Sequence, residues 1–249
     1  MKKLSILFSS LLALTSISIS AAFAEWSYSG KTGPEHWGEL SAEYALCSAG
    51  KNQSPVNIDS KMTGNTRQKP IKLNYELMVA DAIKNTGHTI QVDMRSGGVM
   101  TLDGVDYELK QFHFHMPSEH TVNGKHFPVE AHFVHVNEKG ETAVLAMMFL
   151  PGKPDATLNR LWKNMPMKAG DSARLASGDL KTIESESSFS NYYSYNGSLE
   201  TPPCTEGVRW IIMQSPMTIS KEQFNTLKAA LQGDNNRPVQ PLNARLVLE

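Results

Sequence analysis

His113 and His115 stand two residues apart, and His132 follows seventeen residues later. In a strand, residues i and i+2 point to one face. The two rings therefore converge, while Phe112 and Phe114 turn to the other side. A turn around Asn123-Gly124-Lys125 lets the next strand return alongside with His132 on the shared face. Three imidazoles on one rigid face suit Zn2+ and leave a fourth position open for water. A metal-bound imidazole needs its other nitrogen held. Glu130 shares the face of His132, and Gln111 that of His113, so both are expected to accept those protons. Glu119, just past Pro117-Ser118, is a further candidate acceptor near the metal. His36, His120, His126 and His135 read as structural or surface residues, His135 because it lies on the opposite strand face from His132.

The elements that position these residues are mostly strands. Alternation runs through Thr89–Met94, Leu109–His115 and Glu130–Val136. Ala143–Leu150 and Val208–Gln214 are continuous apolar runs of buried-strand type. Turn signals recur between them: Gly97-Gly98, Asp103-Gly104, Asn123-Gly124, Lys139-Gly140 and Pro151-Gly152. Helices are predicted over Asp155–Met165 and Ser220–Leu231, the second with a capping box (Ser220 and Gln223) and Gly233 beyond its end. The expected fold is mixed α+β and mainly β. It is a single domain built on a large, mostly antiparallel sheet with short peripheral helices.

Of the 249 residues, 40% are hydrophobic and 20% charged, which excludes a disordered, collagenous or coiled-coil chain. A formal net charge of −1 gives no basic surplus for nucleic acid. Residues 1–24 read as a secretory signal peptide: Lys2 and Lys3, then an apolar run, then Ala22-Phe23-Ala24 before Glu25. The serine-laced run is short for a bilayer, which argues against an anchor. Residues 25–249 then form the domain, and losing Lys2 and Lys3 takes the net charge from −1 to −3. The expected location is a bacterial periplasm, with secretion as the alternative. Cys47 and Cys204 either bridge or stay as two buried thiols, and export favours the bridge.

Several segments carry a family likeness. They are Gln111-Phe112-His113-Phe114-His115, Pro117-Ser118-Glu119-His120, Glu130-Ala131-His132-Phe133-Val134-His135 and Gly197-Ser198-Leu199 with Thr201-Pro202-Pro203. The likeness continues at Trp26, Tyr28, Gly33–Trp37, Gln53–Ile58, Asn85-Thr86-Gly87-His88, Trp210 and Asn236-Arg237-Pro238. The chain resembles the α-class carbonic anhydrases over essentially everything after the leader. The resemblance implies a ten-stranded twisted sheet with zinc at the foot of a conical cleft. It implies that His113, His115 and His132 bind zinc, with Glu119 and Glu130 supporting them. It makes His88 a proton shuttle, Tyr28 a contact for ordered water, and Val134, Val144, Leu199 and Trp210 an apolar wall for carbon dioxide. The implied reaction is zinc-dependent, reversible hydration of carbon dioxide to bicarbonate and a proton. The cysteine pair also resembles the bridge of exported members.

One position departs from the family pattern. Glu200 stands where Gly-Ser-Leu is usually followed by the first of two threonines, leaving Thr201 as the second. In the family that hydroxyl accepts a proton from the nucleophile and donates its own to the acid matching Glu119. An ionised Glu200 cannot donate, and two close carboxylates repel unless a proton or a metal intervenes. Either Glu200 reaches the metal as a fourth ligand, or it turns away and Thr201 or water substitutes. Two readings follow: a carbonic anhydrase of reduced activity, or a non-catalytic zinc-binding relative. A zinc esterase or peptidase is disfavoured by the lack of an H-E-x-x-H motif.

Overall fold

Strand-type alternation carries most of the chain into one large twisted sheet. The computed structural model describes residues 25–66, 68–76, 78–176, 180 and 186–249, so the leader lies outside the described residues. Eight strands follow in spatial order: Ser172–Arg174, Val79–Asn85, Ile90–Ser96, Val105–His115, Val129–Val136, Thr142–Pro151, Glu206–Met213 and Tyr192–Ser198. Ile71–Asn74, Val99–Leu102, Glu186–Phe189 and Met217–Ile219 join alongside. That makes twelve strands in this sheet among the described residues, where the resemblance implies ten, and Asn57–Ile58, Thr121–Val122 and Lys125–His126 form a separate small sheet. Short pieces of three or four residues account for the larger count. Within the large sheet, pairing is antiparallel except that Thr142–Pro151 runs parallel to Glu206–Met213 and to Met217–Ile219. The five strands expected from alternation and apolar runs all form, with ends shifted by a few residues.

Register is set by the apolar face. Phe112, Phe114, Ala131, Phe133, Leu145, Met147 and Ile211 all enter the main core. Each large apolar side chain buried there contributes about 1.5–3 kcal/mol. A one-residue slip would bring the histidines to that side and the phenylalanines out. The burial that folds the sheet therefore also aims His113, His115 and His132 to the opposite face.

The Asp155–Met165 helix is shorter than expected. Asp155 caps it, accepting from the Leu158 N–H at 2.8 Å, but the α-helix covers only Ala156–Leu161 before a 3-10 turn at Trp162–Asn164. Met165 is extended (φ −63°, ψ 123°), as expected of a residue preceding a proline, here Pro166. The second helix, Lys221–Leu231, has both capping-box bonds: Ser220 Oγ accepts from Gln223 N–H, and Gln223 Oε1 accepts from Ser220 N–H. Its left-handed terminal residue is Gln232 rather than Gly233.

Cys47 and Cys204 are bridged, with Cα atoms 5.0 Å apart. The bond joins the short helical segment Leu46–Ala49 to the loop after Pro203 and packs with Trp37 and Tyr44. It links residues 157 apart in sequence, so loop entropy gives it about 3–5 kcal/mol of stability. Urea unfolding of a Cys47→Ala/Cys204→Ala protein should report a loss of that order. An unchanged midpoint would remove the bridge from the stability account.

Candidate metal centre

His113 and His132 face each other directly across the antiparallel pair Val105–His115 and Val129–Val136. His115 lies two residues on, opposite Glu130. One donor atom from each of the three rings lies within 4.8 Å of the others. The remaining nitrogens are all taken by acceptors. His113 Nδ1–H donates to Gln111 Oε1 at 2.8 Å. His115 Nδ1–H donates to the Asn235 carbonyl at 2.8 Å, and His132 Nε2–H donates to Glu130 Oε1 at 2.8 Å. An acceptor fixes the proton on the nitrogen it faces, so the three lone pairs point at one another. Burial lowers the pKa of all three rings, that of His115 to about 3, which keeps them neutral at physiological pH. Three neutral, fully oriented imidazoles with His115 Nε2 buried and unpartnered are the donor set of a zinc site.

Gln111 and Glu130 stand where the strand face places them. Glu130 does more than hold His132. Its Oε2 accepts from the N–H groups of Glu119 and His120, and its Oε1 also meets His120 Nδ1 at 2.8 Å. Burial alone would raise this carboxyl, but electrostatic attraction to and hydrogen bonds from the His120 and His132 rings prevail and hold it well below the usual carboxylate range. Glu119 behaves oppositely. Its Oε1 accepts the Arg237 backbone N–H at 2.6 Å, yet burial leaves its pKa raised. Its Oε2 is 3.2 Å from His115 Nε2.

Glu200 is buried and turned toward the histidines. Its Oε2 lies 3.3 Å from His132 Nδ1, and its Oε1 lies 3.7 Å from His120 Nδ1. Burial, and then the neighbouring Glu119 charge, push its pKa well up. The preceding turn is clamped: Ser54 N–H donates to Ser198 Oγ, and Ser54 Oγ accepts from Ser198 N–H. A Cβ on Gly197 would come within 2.1 Å of Ser54 Oγ, so only glycine permits this approach. The longer side chain at 200 is therefore delivered to the histidines by a fixed backbone. Thr201 is half-buried, and its carbonyl accepts from Cys204 N–H.

Val134, Val144 and Trp210 form one row across three neighbouring strands on the histidine face. They and Leu199 belong to a single apolar cluster, and Trp210 Nε1–H is anchored on the Ser198 carbonyl. His88 lies on the turn after Val79–Asn85, stacked on Trp26 at 3.8 Å between centroids. Tyr28 is 6.4 Å from His88, edge to face. Its phenol pKa is raised well above the ordinary value by burial, then by the charges of Glu119 and Glu200.

Two supporting residues escaped the sequence reading. The Asn235 carbonyl holds His115, while its side chain accepts from Met116 N–H and donates to the carbonyls of His88 and Phe114. Arg237 anchors Glu119 by its backbone and spans Gln53, Ser54 and Cys47 with its guanidinium. For His120 the structural alternative holds over the surface one: it is fully buried and clamps Glu130 with one nitrogen and Tyr195 Oη with the other, at 2.7 Å, which supports His132 through Glu130. Asn236-Arg237-Pro238 was the available signal for the first two, but nothing in it specified a backbone contact. His135 is buried on the opposite face, its Nε2 hydrogen-bonded to Tyr75 Oη.

The family model for eukaryotic-type carbonic anhydrase matches residues 32–249. A carbonic anhydrase of Neisseria gonorrhoeae is 46% identical over 96% of this chain and 94% of its own length. One of Klebsiella pneumoniae is 43% identical over 96% of each. The α-carbonic anhydrase of Thermovibrio ammonificans, solved with sulfanilamide, superposes with a TM-score of 0.84 at 46% identity, covering 92% of this chain and all of that one. A shared fold, a complete three-histidine face and near-full-length identity lead to one conclusion: the chain is an enzyme of the eukaryotic-type, or α-class, carbonic anhydrase family.

Proposed function

We propose that the protein catalyses the reversible hydration of carbon dioxide to bicarbonate and a proton, using one zinc, and that Glu200 slows it. The convergence of three neutral, tautomer-fixed imidazoles carries this reading. His113, His115 and His132 would hold the metal, which when bound supplies the Lewis acidity that makes water a nucleophile near neutral pH. Gln111, Glu130 and the Asn235 carbonyl keep the three rings aimed. Val134, Val144, Leu199 and Trp210 offer an apolar surface to an apolar substrate. Glu200 brings a carboxylate where a neutral hydroxyl is the family's residue, which misaligns the nucleophile. Stopped-flow hydration by the zinc-loaded protein should exceed the buffer rate clearly. A zinc-loaded protein no faster than buffer would sink the reading and leave the second one, a non-catalytic zinc binder. That alternative is favoured by a single observation, the Glu200 carboxylate at His132 Nδ1.

His88 would carry the proton from the cleft to solvent. Partial burial lowers its pKa, against a smaller upward pull from Glu25, so the ring is a neutral acceptor at physiological pH. Its contribution to hydration is therefore present through the upper part of the usual histidine range and is lost only as pH falls below that range, because a protonated ring cannot accept. His88→Ala should slow turnover in weakly buffered solution, and imidazole buffers should restore part of it. Equal rates at low buffer concentration would take the shuttle role from His88.

The Cys47–Cys204 bridge fits an oxidising compartment, and among the described residues no helix is long and apolar enough to cross a membrane. With a leader at residues 1–24, these features support export to the periplasm, with secretion as the alternative.

A further inference from the structure

Among the described residues, Glu200 is the one side chain with two buried oxygens that no hydrogen bond accounts for. Both its oxygens are buried without a hydrogen-bond partner, and the side chain is 4% exposed. Its nearest polar neighbours include two histidine nitrogens. His120 Nδ1, at 3.7 Å, is already committed to Glu130 Oε1 at 2.8 Å. His132 Nδ1, at 3.3 Å, is the lone-pair nitrogen, because Nε2 carries the proton given to Glu130. An ionised carboxylate oxygen and an imidazole lone pair are both acceptors, so with Glu200 ionised nothing in the pair itself holds them together. A cation between them would. Two donors on one tetrahedral zinc, each about 2.0–2.1 Å from it, stand about 3.3–3.4 Å apart. The Glu200–His132 separation matches that spacing.

We infer that Glu200 is a fourth protein ligand to the zinc held by His113, His115 and His132. The inference rests on the proposed zinc function and deepens it. His120, His132 and Glu200 also form a group able to hold a metal, but it shares His132, and both His120 nitrogens are spent on Glu130 and Tyr195. The group therefore marks one ion position, not two. Glu119 is the competing carboxylate, with Oε2 3.2 Å from His115 Nε2 and 3.8 Å from His132 Nδ1. It differs in being tethered, since its Oε1 accepts the Arg237 N–H. Glu200 has no backbone anchor and, beyond the histidines, meets only the neighbouring Glu119 carboxyl, so Glu200 is the one free to complete the coordination. A site closed in this way at rest admits substrate water only when the carboxylate steps aside.

Competition between the protein and a zinc chelator tests this without any activity measurement. Loss of a supporting residue costs about 10–100-fold in metal affinity, and loss of a ligand should cost more. Glu200→Thr and Glu200→Gln should weaken zinc binding by more than about 100-fold, and Glu119→Gln by less. In cobalt-loaded protein, thiocyanate should alter the visible spectrum of Glu200→Thr and leave the parent unchanged, because only the variant has an open position. Parent-like zinc affinity in both Glu200 variants, or a parent spectrum that responds to thiocyanate as the variant does, would overturn the assignment. Those outcomes leave the hydration reading intact, which stands or falls on the stopped-flow rate.

Discussion

Replacing Glu200 by threonine should raise the carbon dioxide hydration rate by about 10²–10³-fold, the size of effect seen when one aligned transition-state hydrogen bond is gained or lost. The backbone around the residue need not move, since the Ser54–Ser198 clamp and the tight Gly197 approach set the turn independently of side chain 200. Threonine would give Glu119 Oε2, now unpartnered, a hydroxyl to accept from. It would also remove a buried carboxyl whose pKa burial, and then the adjacent Glu119 charge, push up. Initial hydration rates at matched zinc content check the prediction. A Glu200→Thr enzyme no faster than its parent would show that the carboxylate is harmless to turnover.

Removing a histidine should have the opposite effect. His132→Ala deletes the ring that faces His113 across the strand pair and takes one of several hydrogen-bond donors from the buried Glu130 carboxylate. Zinc in a four-ligand protein site is bound by about 10–16 kcal/mol. One ligand's share of that is on the order of 10²-fold or more in affinity. Dialysed His132→Ala should therefore keep far less than one zinc per chain by atomic emission. Full stoichiometry at parental affinity would show that His132 is not a ligand.

The parts of the site that lie on strands were legible because the strand period is two. His113, His115 and Gln111 had to share a face, and Glu130 had to accompany His132, whatever the rest of the fold did. The apolar runs that pair around them were legible for the same reason. Asn235 and Arg237 were not, because they act across about 120 residues of sequence and partly through backbone atoms. A backbone carbonyl carries no signature in residue type. The partners of His120, Glu130 and Tyr195, were not legible because they come together only through the sheet. Glu186–Phe189, which contains Ser187-Ser188, has too little apolar alternation to announce a strand and is formed by pairing with Ile71–Asn74. The position of Glu200 in sequence flagged the departure, but only the structure puts its carboxylate beside His132.

One zinc, held by His113, His115 and His132, is proposed to make this chain a carbon dioxide hydratase. Titrating chelator-stripped protein with zinc while following hydration by stopped flow tests it directly. The rate should rise from the buffer value and break sharply at one zinc per chain, with His113→Ala showing no such break. A rate that stays at the buffer value through the titration, or one that is high before any zinc is added, would contradict the claim.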